Sequence, residues 1–135
     1  MMYLFDTDVL SNVLKKKRSA AMMARLKAVP RAAQFTSAVN AAEIYFGVFR
    51  KESRADLLRS YEAEIFPRLT ILPFDFESAR VFGRIKAHLE GRGLTTFEPD
   101  LQIASIALAH KLTLVTGNTR HYKGIPGLRV ENWLI

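Results

Sequence analysis

Short apolar runs alternate with longer amphipathic stretches from one end of the chain to the other. The runs that predict strands are residues 3–5, 34–36, 69–72, 112–115 and 128–130. Each run is short and bounded by polar or turn-forming residues, which is typical of buried strands. Because stretches with helical spacing separate the runs, the pattern predicts an α/β fold in which a central parallel sheet of about five short strands is flanked by helices.

Polar residues mark the expected beginnings of three helices. Ser19, Ser37 and Asp75 each precede an amphipathic stretch and are predicted to be N-caps. The helix after Ser37 is expected to extend to about Arg50 and is apolar almost all the way round, which is typical of a buried helix or of one that forms an interface. The helix after Asp75 is predicted to bury Ala79, Phe82, Ile85 and Leu89.

Glu43 lies in the middle of this apolar helix. An ionised carboxylate in apolar surroundings is unfavourable unless a cation, a metal ion or hydrogen-bond donors satisfy it. Two interpretations stay open: a structural ion pair with an arginine, and a functional carboxylate.

The composition limits the classes of protein that this chain can represent. A length of 135 residues with 49% hydrophobic residues predicts one domain spanning residues 1–135. The absence of cysteine excludes disulfides, thiolate catalysis and cysteine-based zinc sites, and it fits a reducing compartment. Because no apolar run approaches the roughly 18 residues that a membrane span requires, a soluble cytoplasmic protein is expected.

Further acidic and polar residues stand at the predicted ends of strands and helices. Asp6 and Asp8 follow the first strand, Asn118 follows the fourth, and Asp100 opens a helix with Pro99 beside it. Parallel strands bring their carboxyl ends to one edge, so these side chains are expected to lie together. Taken singly, each has an ordinary explanation, since Thr7 or Asp8 would cap a helix and Asp100 would complement a helix dipole.

Clustered carboxylates repel one another, and a hard divalent cation with oxygen ligands, Mg²⁺ or Mn²⁺, is the simplest explanation for their coexistence. Such a cation polarises a phosphodiester and generates hydroxide from bound water. The chain also carries 20 Lys and Arg against 13 Asp and Glu, with a net charge of +7. An acidic pocket in a basic shell suits a polyanionic substrate. The alternative is that the excess positive charge serves solubility alone.

Several motifs occur together in the order that one family shows. They are residues 4–11, the helix that carries Glu43 and Gly47, residues 100–104, residues 114–118 and residues 125–133. These motifs resemble the PIN-domain ribonucleases, specifically the VapC-type toxins of prokaryotic toxin-antitoxin pairs. The resemblance implies a three-layer PIN-like domain, a Mg²⁺-dependent endoribonuclease activity that leaves a 5′-phosphate and a 3′-hydroxyl, and a cognate antitoxin that occupies the acidic site.

The resemblance also implies roles for individual residues. Asp6 and Asp100 match the principal metal ligands, and Glu43 matches the second acid, which is expected to orient or deprotonate the attacking water. Asn118 matches a fourth position at which Asp is common in the family, so a weakened second metal site is expected. Thr116 is expected to help Asn118 position water by hydrogen bonds. Supporting roles are expected for Thr7 and Asp8, whereas His121 is interpreted as an ordinary loop residue.

A homodimer is expected because the helix from Ser37 to Arg50 has more apolar positions than one buried face requires. Phe46 and Phe49 are the candidates for an exposed patch. Two other functions remain open, a DNA-directed or flap-type metal nuclease and a catalytically weakened RNA-binding module.

Overall fold

The computed structural model describes residues 1–51 and 54–135, in which five strands form one parallel sheet. The strands are β1 (Tyr3–Phe5), β2 (Gln34–Ser37), β3 (Thr70–Leu72), β4 (Thr113–Val115) and β5 (Val130–Glu131), arranged in the order β3-β2-β1-β4-β5. The predicted strands are confirmed, with the last displaced by two residues at its start. Because the chain places β2 on one side of β1 and β4 on the other, β1 lies at the switch point where such sheets bind ligands.

Helices of very different lengths connect the strands. They are α1 (Thr7–Val13), α2 (Ala20–Lys27), α3 (Ala38–Phe49), α4 (Ala55–Ser60), α5 (Phe76–Gly91) and α6 (Glu98–Ala109). A π-helical segment, Tyr61–Ile65, continues α4, and a 3₁₀ turn, Thr119–Tyr122, follows β4.

The predicted caps at Ser19, Ser37 and Asp75 are confirmed, because each side chain accepts a hydrogen bond from the first turn of its helix. For α1 the cap is Asp6 rather than Thr7 or Asp8, and it accepts from the backbone N–H of Thr7. Asp6 is therefore both the first residue past β1 and the residue that begins α1.

Apolar side chains pack on both faces of the sheet, which confirms the three-layer fold. Leu4 faces a core formed mainly by α5 and α6, whereas Phe5 faces a core formed by α1, α2, α3 and the π-helical segment. Neighbouring residues of a strand point to opposite faces, so Leu4 and Phe5 belong to different cores. Trp133 closes the second core and packs edge-on against Tyr3 and Phe5.

The predicted buried stripe of α5 is partly wrong. Ile85 and Leu89 are buried as expected, but the first two buried positions are Ser78 and Val81, and Ala79 is exposed. Ser78 tolerates burial because its hydroxyl donates to Asp75, which removes the usual cost of an unpaired polar group.

Among the helices of residues 1–51 and 54–135, none combines the length and the apolar character needed to cross a bilayer.

Candidate active site at the carboxyl edge of the sheet

The ends of β1 and β4 bring Asp6 and Thr116 together. Phe5 and Val115 are partners in the parallel register of these strands, and each is followed directly by one of the two polar residues. The hydroxyl of Thr116 donates to Oδ2 of Asp6 at 2.9 Å. The contact is a direct consequence of parallel pairing, because neighbouring parallel strands end at the same edge.

The Asp6 carboxylate is 7% exposed and is held by four hydrogen bonds. Oδ1 accepts from the backbone N–H of Thr7 at 2.9 Å and from Nδ2 of Asn40 at 2.8 Å. Oδ2 accepts from the hydroxyls of Thr116 and Tyr122, both at 2.9 Å. A carboxylate has about four sites for donors, so each of those on Asp6 already has a partner in the protein.

Asn40 and Thr7 connect Asp6 to Glu43. Asn40 is fully buried in α3, and its amide also donates to the Thr7 hydroxyl at 3.1 Å. That hydroxyl in turn donates to Oε1 of Glu43 at 3.0 Å. Asn40 and Glu43 are three residues apart and therefore lie on one face of α3. Among the residues that the structure describes, Glu43 forms no ion pair with an arginine, and its hydrogen-bond partner is the Thr7 hydroxyl.

Asp100 lies in the first turn of α6, where its Oδ2 is 3.3 Å from Nδ1 of His121. The 3₁₀ turn Thr119–Tyr122 thus places His121 beside Asp100 and Tyr122 beside Asp6. The sequence predicts that His121 is an ordinary loop residue. In the structure, the turn after β4 brings His121 into contact with Asp100 on α6.

Asp8 holds the loop that follows β4. Its Oδ2 accepts from the backbone N–H of Gly117 at 2.8 Å, while its Oδ1 is buried and makes no hydrogen bond with any residue that the structure describes. A side chain at position 117 would place its Cβ 2.6 Å from Asp8 Oδ2 and 2.8 Å from Cδ1 of Leu134. A residue with a Cβ at position 117 would therefore force the Asp8 and Leu134 side chains to move.

Burial and mutual repulsion raise the pKa values of the carboxyl groups around Asp6. Desolvation is the largest cause for Asp8, Glu43 and Asp100, and the negative charge of Asp6 adds to it in each case. Hydrogen bonding to Thr7 partly offsets the increase in the pKa of Glu43. Burial and the charges of Asp6 and Asp100 raise the pKa of Tyr122 far above its ordinary value, so the phenol stays protonated and remains a donor.

These acids provide oxygen donors of the kind that Mg²⁺ and Mn²⁺ prefer, and their mutual repulsion is of the kind that a cation relieves. As the side chains stand, no three acidic or histidine side chains in residues 1–51 and 54–135 are close enough together to hold an ion. In this arrangement both oxygens of Asp6 accept hydrogen bonds from protein donors. The residues fit a divalent cation by their chemistry, and binding one would require at least one donor of Asp6 to yield.

Asn118 and Thr116 differ in how they meet their expected roles. The Asn118 side chain is exposed and does not cap the turn that follows it, although its backbone N–H donates to the Thr116 hydroxyl at 3.0 Å. Thr116 contacts Asp6 directly, so its hydroxyl positions a carboxylate, whereas a contact with water was expected. The assignment of Asn118 as the fourth site residue stays a prediction.

Sequence reasoning missed Asn40 and Tyr122. Asn40 offered a signal, because it is a polar residue on an otherwise apolar helix, one turn before Glu43. Tyr122 offered none, since it lies in a polar loop far along the chain from Asp6.

Comparison with known proteins shows which family the chain resembles. Residues 3–125 match the family model of the PIN domain. The chain is 32% identical over 132 residues to ribonuclease VapC2 of Haemophilus influenzae, an alignment that covers 98% of both chains. It is also 32% identical over 97 residues to the tRNA(fMet)-specific endonuclease VapC of Salmonella typhimurium, covering 72% of this chain and 73% of the relative.

A solved structure shows the same fold. The structure of VapBC2 from Rickettsia felis bound to a DNA fragment from their promoter matches with a TM-score of 0.87 and 29% identity, over 98% of this chain and 99% of that chain. The chain therefore belongs to the PIN domain family and, within it, to the VapC toxin ribonucleases of toxin-antitoxin systems.

Proposed function

We propose that this toxin is a Mg²⁺-dependent endoribonuclease that hydrolyses RNA phosphodiester bonds at the carboxyl edge of β1 and β4. The observation that carries the proposal is the hydrogen-bonded group of Asp6, Asn40, Thr7 and Glu43, with Asp100 near enough to Asp6 for their charges to interact. Burial and the charge of Asp6 raise the pKa values of Asp8, Glu43 and Asp100, and carboxyl groups perturbed in this way are typical of functional sites.

Asp6, Asp100 and Glu43 are the residues that would hold the cation, with Mn²⁺ as the alternative to Mg²⁺. When bound, a divalent cation supplies a Lewis acid that polarises the phosphodiester and offsets the negative charge of the site. The four donors to Asp6 hold its carboxylate in one orientation in the metal-free protein.

Glu43 is the proposed base. Its carboxylate is partly exposed, and one of its oxygens is held by the Thr7 hydroxyl. A general base is most effective when its pKa approaches the working pH, and burial raises the pKa of Glu43 in that direction. Glu43 would accept a proton from the water that attacks the phosphorus.

We further propose that a cognate antitoxin covers this acidic edge in the cytoplasm. Family membership supports this partner, and the R. felis relative was solved as VapBC2. In cells that express the toxin, co-expression of the small open reading frame beside its gene is expected to restore growth. If no neighbouring product restores growth while the catalytic variants below do, the antitoxin part of the proposal is wrong.

The test of the activity is cleavage of total cellular RNA and of initiator tRNA, the substrate named for the Salmonella relative. Wild-type protein is expected to cleave with Mg²⁺ and to be inactive with EDTA, and Asp100→Asn is expected to be inactive in both. Mapping the cleaved ends checks for a 5′-phosphate. Equal cleavage of matched DNA would favour a DNA-directed nuclease, and RNA binding without cleavage would favour a binding module.

A further inference from the structure

A groove of about 230 Å³ runs from the candidate active site along α3. Thr7, Glu43 and Gly47 line the end nearest the site, and Arg50, Lys51 and Arg54 line the rest together with apolar side chains. The groove therefore joins the proposed base to three cationic side chains.

The spacing along α3 determines the direction of the groove. Glu43, Gly47 and Arg50 are separated by four and three residues, so they lie on one face of the helix. A rise of 1.5 Å per residue places Arg50 about 10 Å beyond Glu43 along the axis. Gly47 lies between them, and a Cβ built there meets nothing within 4 Å. No side chain at that position narrows the path.

The three cationic side chains are exposed, and they line the same groove as Glu43. The Arg50 guanidinium lies over the ring of Phe46, 5.5 Å from its centroid, which limits the positions it takes. Residues 50–54 contain three basic residues and one acid in the sequence. The groove therefore offers a polyanion positive charge beside the acidic site.

We propose that Arg50, Lys51 and Arg54 bind backbone phosphates of the RNA on one side of the bond that is cut. This inference rests on the proposed ribonuclease function and names the substrate-binding surface for it. In a stacked strand, successive phosphates advance about 3.4 Å, so a span of about 10 Å accommodates roughly three nucleotides. Phosphate contacts carry no sequence information; they determine where the strand lies relative to the base.

The test replaces the three residues with glutamine, singly and together. The matched control is the triple variant Arg31→Gln, Lys111→Gln and Arg129→Gln, which removes the same charge from exposed positions before the amino ends of β2, β4 and β5, at the opposite edge of the sheet. Binding of a fluorescein-labelled single-stranded RNA is measured by anisotropy in EDTA at several salt concentrations, so that no cleavage occurs. Thermal melts show that all variants are folded.

The groove triple variant is expected to reduce the magnitude of the negative slope of log K against log salt by about 2, because each of the three phosphate contacts on a single strand contributes about 0.7. With Mg²⁺, its KM for RNA is expected to rise while kcat changes less than about twofold, since phosphate contacts that are equal in the ground and transition states affect binding alone. The control variant is expected to keep the wild-type slope and KM.

Equal losses in the groove and control variants would overturn the inference, because net charge alone would then explain binding. Unchanged slope and KM in the groove variant would overturn it as well, even if the nuclease activity is confirmed. Loss of antitoxin binding with RNA binding intact would assign the groove to a protein instead. If wild-type protein binds RNA through these residues but never cleaves it, the surface stands and the proposed ribonuclease function fails.

Discussion

At the scale of single residues, the charge of Asp6 is stabilised by hydroxyl, amide and backbone donors. A hydrogen bond to a charged group contributes about 1.5–3 kcal/mol, so each of the four donors matters for a carboxylate that is almost fully buried. Tyr122 is the most informative donor to remove, because Phe keeps the ring and its packing.

Tyr122→Phe is expected to lower the free energy of unfolding of the metal-free protein by about 1–3 kcal/mol, since Asp6 Oδ2 loses a donor that buried surroundings do not replace. Urea unfolding in EDTA measures the change. Tyr45→Phe is the matched control, because its hydroxyl bonds Glu62 at the surface and is expected to change stability by less than about 0.5 kcal/mol. Equal effects of the two substitutions would contradict the special place of Tyr122.

Glu43 gives a prediction with a defined pH dependence. Burial raises its pKa in the folded state above the ordinary value of 4.5. The folded state therefore binds the Glu43 proton more tightly than the unfolded state does. The stability that this proton contributes is fully present below pH 4.5 and is lost as the pH rises through the folded-state pKa. Glu43→Gln stays neutral, so in EDTA it is expected to be at least as stable as wild type at pH 7, with the difference shrinking towards pH 4.5.

Paired urea titrations from pH 4.5 to 8 measure this difference, and Mg²⁺-dependent cleavage by the same variant measures function. We expect activity to fall while stability does not. A variant that is less stable than wild type at every pH would identify Glu43 as a structural carboxylate.

At the scale of elements, two hydrogen bonds link the loop after β4 to the residues that follow β1. The Asp8 carboxylate accepts a hydrogen bond from the backbone N–H of Gly117 in this loop. The Thr116 hydroxyl, in the same loop, donates to Asp6. The position of the site side chains therefore depends on both the parallel register of β1 and β4 and the conformation of this loop.

Gly117→Ala is expected to destabilise the protein by about 1–3 kcal/mol, because its methyl group would overlap the Asp8 carboxylate and Leu134. Cleavage is expected to fall with it, since Asp8 and Thr116 would shift. The control is Gly83→Ala on the exposed face of α5, where a Cβ meets nothing within 4 Å. That change is expected to stabilise by about 0.5–1 kcal/mol, because Ala favours the helix over Gly. Chemical denaturation of both variants checks the contrast, and a neutral Gly117→Ala would contradict it.

At the scale of the whole molecule, α3 has apolar side chains both in the core and on the surface. Ile44 and Val48 are buried, but Phe46 and Phe49 are 67% and 65% exposed, and Phe49 stacks on Tyr45. The exposed rings predicted from the apolar excess of this helix are thus confirmed, whereas the dimer they suggested stays a prediction.

Phe46→Ser combined with Phe49→Ser is expected to shift the protein towards monomer, because burial of two aromatic rings is lost from the interface. Sedimentation velocity at micromolar concentration measures the shift. Phe76→Ser is the control, since Phe76 is 92% exposed on another helix and is expected to leave the oligomer unchanged. A wild-type protein that sediments as a monomer at these concentrations would contradict the dimer.

The sequence by itself determined the alternation of strands and helices, the caps at Ser19, Ser37 and Asp75, and the delivery of Asp6 to a strand end. These features depend on local periodicity and on residues within one turn of each other, so they are present in the order of the amino acids. The expectation for α5 failed at Ala79 for the complementary reason, because a helix has more than one apolar row and the neighbouring elements decide which row is buried.

The tertiary structure alone decided which side chains hold Asp6. Asn40 reaches it across 34 residues of sequence and Tyr122 across 116, and His121 meets Asp100 only through the turn after β4. Such contacts carry no local pattern, because a buried carboxylate accepts any donor that the fold brings within about 3 Å. The order of the amino acids determined that an acidic edge would exist, and the packing of α3, α6 and the loop after β4 determined which donors hold its charge.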